Sequence, residues 1–333
     1  MKLTIRRLAF FLLMSGVLLV ANGCMFPTVK LFTDASDPLK EYTIEGEAKG
    51  KILMIPVNGI ISDISKKGMI RNAPGLVQDI VSQLRLAEKD PEIQAVIFKI
   101  DSPGGSVTAS DIIYHEIASF KKRTGKKVTA VIMNVAASGG YYMALPADFI
   151  MAHPTSVTGS IGVIFLRPKV YGLMDKIGVD ISANTSGVNK DMGSPFRKAT
   201  EAEDKIFQGL TDSLGKRFVD LVIEHRHITP EAVKDISTAR IYLAQEALRL
   251  GLIDAIGYMG DAIARTEKIA GLDENSRVIV YRREEYANDN LYNSQTRYGG
   301  GAQSPLIDLG LPDAALLNLS GFYYLWPAGI NDN

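Results

Sequence analysis

Cysteine is almost absent from this chain of 333 residues: there is one, Cys24, so no disulfide can form within it. Histidine is scarce, with four residues, and tryptophan occurs once. Neither charge is in excess, with 37 Lys and Arg against 37 Asp and Glu. That balance supplies no basic stripe, so no nucleic-acid partner is expected. Neither G-x-x-x-x-G-K-[ST] nor G-x-G-x-x-G occurs, which removes the commonest phosphate cradles.

Long apolar runs are also few. Residues 8–21 are uncharged and mostly apolar, too short for a comfortable membrane span and right for the hydrophobic core of a signal segment. Lys2, Arg6 and Arg7 precede this run, and Cys24 follows it directly after Ala21-Asn22-Gly23. The arrangement resembles a bacterial lipoprotein signal, in which the cysteine is lipidated and becomes the new N-terminus. Residues 1–24 are therefore read as a targeting segment with Cys24 as the lipidation site. The alternative is an uncleaved signal anchor. Either form tethers the protein to a membrane, with its bulk outside the cytoplasm, periplasmic or otherwise extracytoplasmic. Residues 25–48, with Pro27, Asp34, Ser36, Asp37 and Pro38, read as a linker.

From residue 49 the pattern becomes regular. Apolar runs at 52–61, 93–100, 128–133 and 149–152 read as strands. Helical spacing covers 74–89, 106–120, 201–225, 230–236, 243–250 and 260–270. Residues 155–165 read as a glycine-broken strand or turn, and 181–190 as a strand running into a loop. Apolar strands alternating with amphipathic helices predict an α/β domain over 49–272, with mainly parallel sheet covered by helices. Residues 273–333 read as an extension. Within it 288–304 is polar and glycine-rich and expected to be mobile, and 306–326 is apolar, suited to docking on a neighbour's surface.

Parallel sheets bind ligands at the carboxyl ends of their strands, and two glycine-rich turns fall there. One is Ala136-Ala137-Ser138-Gly139-Gly140, a strand-to-helix corner that exposes a small hydroxyl at a helix start. The other, Asp101-Ser102-Pro103-Gly104-Gly105-Ser106, presents backbone N–H groups before a helix; it suits an oxyanion hole and equally a phosphate or CoA nest. A serine needs a base. Of the histidines, His115, His225 and His227 lie on helices or at a helix end, leaving His153 as the contender. A neutral lysine does the same work, because burial without a counter-charge favours the uncharged amine. Lys190, in a loop shaped by Gly187, Gly193 and Pro195, is the candidate, provided that the side chain of Asp191 points elsewhere.

Four motifs in order now carry a resemblance: Asp-Ser-Pro-Gly-Gly-Ser at 101–106, Ala-Ala-Ser-Gly-Gly-Tyr-Tyr at 136–142, Thr-Gly-Ser-Ile-Gly-Val at 158–163 and Lys-Asp-Met-Gly-Ser-Pro at 190–195. Together they resemble the bacterial signal peptide peptidase A family, serine–lysine peptidases of the ClpP/crotonase-type fold, in the short form with one copy of the domain. The resemblance implies Ser138 as nucleophile, Lys190 as general base and Ser160 as the group orienting the lysine. The N–H groups of Gly105 and Gly139 would hold the oxyanion. It also implies no metal and no cofactor, peptide substrates such as signal-peptide remnants, and homo-oligomeric rings or domes in which the lysine can come from the adjoining protomer. Such a site would favour small or apolar residues beside the cleaved bond, with activity rising into the alkaline range. The rival readings are a crotonase-type acyl-CoA enzyme, with Glu116 as the nearest glutamate, and a catalytically silent membrane-anchored scaffold.

Overall fold

The computed structural model of the chain describes residues 37–67, 72–293 and 321–329. The first elements are β1 (Lys40–Glu45), β2 (Ala48–Asn58), β3 (Lys66–Lys67), β4 (Asn72–Ala73), α1 (Leu76–Lys89), β5 (Ile93–Ser102), β6 (Gly104–Ser106) and α2 (Val107–Thr124). Then come β7 (Lys127–Ala137), α3 (Gly139–Tyr142), β8 (Phe149–Ala152), β9 (Val157–Gly159), β10 (Ile164–Leu166), α4 (Tyr171–Ile177), α5 (Glu201–His225) and α6 (Pro230–Ile236). The last are β11 (Ile241–Leu243), α7 (Ala244–Arg249), β12 (Ala255–Ile256), α8 (Met259–Ala270), β13 (Ser276–Arg282) and β14 (Gly321–Leu325).

The main sheet runs β1-β13-β2-β5-β7-β8-β12. Every neighbour pair in it is parallel except β1 with β13. Helices cover both faces, as the alternation of β2 requires. Leu53, Ile55 and Val57 point into the larger core, with Ile80 and Leu84 of α1 and Ile113, Ile117 and Phe120 of α2. Ile52 and Met54 point the other way, towards Met259 and Ala262 of α8. Each such fully buried side chain contributes about 1.5–3 kcal/mol.

The end of β7 positions the site. Its first half pairs with β8 and its last three residues with β9, which turns away to pair with β11. The C-terminus of β7 thus emerges at the junction of two strand sets. Among the described residues no helix is long and apolar enough to cross a membrane. Residues 1–24, Cys24 included, lie outside the described residues.

Three segments differ from the sequence expectation. Residues 40–45, read as linker, form the edge strand β1; it has solvent on one face and shows only Tyr42 and Ile44 as inward apolar residues, too faint a period to stand out. Residues 181–190 form no strand; the stretch is polar, lacks alternation and is exposed throughout. The sheet also does not stop at 272, because β13 inserts between β1 and β2.

Lys51 fastens this edge. Its amine lies 2.9 Å from Glu41, 2.9 Å from Asp90 and 3.1 Å from Glu92. Burial opposes the charge, but the three carboxylates outweigh it and hold the lysine pKa above its ordinary value. Lys51→Met should leave Glu41 and Asp90 without the cation they share, while Glu92 keeps Arg277 at 3.0 Å. The expected loss is about 2 kcal/mol, below a fully buried pair because the carboxylates reach solvent, read as a lower urea midpoint.

Candidate active site

Ser138 follows the last residue of β7 and precedes the single turn of α3. Its backbone is left-handed, φ 51°, ψ −116°, a strained conformation for a residue with a side chain. Such a corner aims the side chain away from both elements, as in the nucleophile elbows of other hydrolases. The conformation is pinned by neighbours. The Ser138 N–H donates to the Gly159 carbonyl at 2.7 Å, and the Tyr141 and Tyr142 N–H groups donate to the Ser138 carbonyl at 3.0 and 2.9 Å. Its hydroxyl donates to the Gly162 carbonyl at 3.4 Å, and the residue is fully buried.

The two glycines after Ser138 are there for contact. A Cβ on Gly139 would lie 2.4 Å from Ser110 Oγ, and one on Gly140 would lie 2.6 Å from the Ser102 carbonyl. Only bare backbone lets α3 begin against α2 and the end of β5. The Gly139 N–H belongs to the first turn of α3, where no intrahelical acceptor exists.

The facing turn, 101–106, is braced from within. The Ser102 hydroxyl donates to the Gly59 carbonyl at 2.7 Å and accepts the Gly104 N–H at 3.1 Å. The Asp101 carboxylate accepts the Val135 N–H at 3.2 Å, while burial raises its pKa. Ser106 caps α2 by accepting the Ala109 N–H at 3.1 Å. Gly104 has φ 98°, open only to glycine, and a Cβ there would lie 2.7 Å from the Gly139 nitrogen. The two glycine turns are therefore in direct backbone contact. With the Gly104 amide used by Ser102, Gly105 and Gly139 are the neighbouring amides of the nest.

Ser160 lies in the loop between Gly159 and Gly162, whose carbonyls both bind Ser138. Its φ is 51° and its N–H donates to the Arg240 carbonyl at 2.8 Å. In the single chain no hydrogen bond joins this group to Lys190. It is exposed, in a turn closed by its own N–H on the Gly187 carbonyl at 3.0 Å, and no hydrogen bond or ion pair engages its amine among the described residues. Asp191 does point elsewhere: Arg197 grips both its oxygens at 2.8 Å and holds its carboxyl below the usual range. None of the four histidines bonds Ser138. His153 pairs with Thr155 at 2.9 Å, His225 with the Tyr114 hydroxyl at 2.7 Å and His115 with Ser119 at 3.3 Å.

Sequence reasoning missed the aromatic wall behind the nest. The Tyr142 hydroxyl donates to Asp111 at 2.6 Å, and the Tyr142 ring lies 4.8 Å from that of Phe218. The paired tyrosines at 141–142 were the available signal.

A buried serine on a strained corner, at the carboxyl end of a strand in mainly parallel sheet covered by helices, fits a serine peptidase of the ClpP/crotonase type. Comparison with known proteins agrees. Residues 120–273 match peptidase family S49, and residues 70–161 match Clp protease. The chain is 35% identical over 255 residues to a putative signal peptide peptidase SppA of Enterococcus faecium, across 77% of this chain and 74% of that protein. It is 33% identical over 250 residues to Protease 4 of Salmonella typhi, across 74% of this chain and 39% of that one. It is also 31% identical over 236 residues to the chloroplastic serine protease SPPA of Arabidopsis thaliana, of which it spans 34%. The chain belongs to the signal peptide peptidase A family of serine peptidases.

Proposed function

We propose that this chain is a membrane-tethered endopeptidase with a Ser138–Lys190 dyad, degrading cleaved signal peptides and other apolar, extended peptides. The observation that carries the reading is Ser138 itself, strained, buried and bonded to no histidine. The Lys190 amine takes the Ser138 proton as Oγ bonds to the scissile carbonyl carbon. The C–N bond then breaks, the proton passes to the leaving amine, and water hydrolyses the acyl-serine. Ser160 orients the lysine, and the amides of Gly105 and Gly139 hold the oxyanion. No metal or cofactor enters this scheme.

A lysine base needs a dry site, and one chain leaves Lys190 in solvent. We therefore assign its burial to homo-oligomerisation. Exposed apolar side chains in this part of the sequence support this: Leu173 is 62% exposed, Ile177 64% and Val188 89%, and such side chains are expected beneath a neighbouring copy. Lipidation at Cys24 supplies the tether and an extracytoplasmic location.

The test is a fluorophosphonate probe on the full chain. Labelling is expected at Ser138, none in Ser138→Ala, and labelling slowed by about 10³-fold in Lys190→Ala. A folded, oligomeric protein that never takes the probe would favour the silent scaffold. Loss of labelling in His153→Ala with full labelling in Lys190→Ala would transfer the base to histidine.

A further inference from the structure

Ser138 is held by a loop, and the loop is held by a second segment far away in sequence. Gly159 and Gly162 present the carbonyls that accept the Ser138 N–H and hydroxyl, and Ser160 stands between them. Gly159 and Ser160 are both left-handed, with φ 95° and 51°. Such backbone persists only where its surroundings over-determine it.

The surroundings are residues 239–242, which follow α6. β11 runs antiparallel to β9, with Ile241 opposite Gly159 and Tyr242 opposite Thr158. Beyond that ladder, three of the four loop residues each meet one residue of the segment. A Cβ on Gly159 would lie 2.5 Å from Cδ2 of Tyr242. The Ser160 N–H donates to the Arg240 carbonyl at 2.8 Å. A Cβ on Gly162 would lie 2.7 Å from the Ala239 methyl.

The segment is itself fastened. The Arg240 guanidinium joins two helices: it donates to both oxygens of Asp235 on α6 at 2.9 and 2.7 Å, and to both oxygens of Glu246 on α7 at 3.1 and 2.7 Å. It also lies 4.1 Å over the Tyr242 ring. A planar fork gripped on both sides fixes the arginine in one orientation. Ala239 has φ 58°, which glycine would adopt more readily, and its N–H donates to the Ile236 carbonyl at 3.0 Å. The methyl carried in that strained conformation is the one that closes on Gly162.

We propose that residues 239–242 are a positioning bracket for the reaction at Ser138. Ala239, Arg240 and Tyr242 set the places of Gly162, Ser160 and Gly159, and through them the direction of the Ser138 hydroxyl. They act through the loop, not on the substrate. The inference rests on the peptidase reading above.

Gly162 supplies the test. Its φ is not left-handed, and an added Cβ meets only Ala239 within 4 Å. The experiment uses the full chain as Gly162→Ala, Ala239→Gly and the double variant. It measures kcat and KM on a quenched-fluorescence peptide of apolar sequence, the rate of fluorophosphonate labelling, and thermal melts. Gly162→Ala should lower kcat and labelling by about 10²-fold with KM within about twofold, as expected for a misplacement of about 1 Å. In the double variant the obstructing methyl is gone, and the new Cβ stands 4.0 Å from the Cα of residue 239, an ordinary contact. Its kcat should return to within about threefold of wild type, because the two positions are coupled. Ala239→Gly alone should melt within about 2 °C of wild type, relief of strain offsetting the freer unfolded chain, yet lose about threefold in kcat. A purely structural contact would not divide kcat from stability in that way. Wild-type kcat in Gly162→Ala, or a double variant as slow as Gly162→Ala, overturns the bracket; labelling of wild-type Ser138 then still upholds the peptidase. Should Gly162→Ala fail to fold, wild-type kcat in Ala239→Gly overturns the bracket instead. A wild-type chain that neither labels nor cuts peptide removes the peptidase reading and the bracket with it.

Discussion

Mixing Ser138→Ala chains with Lys190→Ala chains is expected to restore activity that neither variant has alone. Each by itself should fall by about 10⁴-fold or more, since nucleophile and base act as a unit. The reason for expecting rescue is the division seen in one chain. Ser138 is buried, whereas Lys190 stands in solvent with its amine unengaged among the described residues. If a neighbour supplies the lysine through a head-to-tail contact, a working site needs an intact serine on one chain and an intact lysine on the next. Random co-assembly of equal amounts gives that arrangement in about one quarter of positions in a ring. Activity near a quarter of wild type, appearing only after subunits are allowed to exchange, is the expected result. A co-assembled mixture that stays inactive would place the lysine within its own chain.

The same contrast explains what the sequence could convey. Helix α5 begins and ends where its spacing predicted, because Thr200 and Glu203 form a capping box at its start. Helix α6 does so for a similar reason, with Thr229 as cap and Pro230 in the first turn. The buried strand β8 is an uninterrupted apolar run. Ser138 was legible because a corner that crowds backbone against backbone demands glycines on its sequence neighbours. What was hidden depends on pairing at a distance. Strand β1 shows its period weakly because one face meets water. Strand β13 joins the sheet far from β2 in sequence, and 321–325 reads only as an apolar tail until its partners are known. Its expected docking surface proves, for those residues, to be β6 and β10 of the same chain; 294–320 lie outside the described residues. The surroundings of Lys190 are beyond any single chain if a second copy completes them.

Gly104→Ala should disable the enzyme out of proportion to one added methyl group. The residue has φ 98°, where a side chain is strained in any surroundings. The new Cβ would stand 2.1 Å from the Tyr324 carbonyl oxygen, 2.7 Å from the Gly139 nitrogen and 3.1 Å from the Ala137 carbonyl oxygen. None of these is the end of a flexible side chain, so backbone has to move. The movement separates the two turns whose amides face the reacting carbonyl under the proposed mechanism. Loss of one well-placed oxyanion donor costs about 10²–10³ in kcat, and a loss of that size is expected here, with stability lowered by about 1–3 kcal/mol. Gly125→Ala separates strain from catalysis. Gly125 ends α2 with φ 70° and has nothing within 4 Å of an added Cβ. That variant should lose about 1 kcal/mol and keep its kcat. Thermal melts beside kcat and KM for the two variants decide the matter. A Gly104→Ala enzyme that melts lower but turns over peptide at the wild-type rate would show that the contact between the turns is structural and that the oxyanion is held elsewhere.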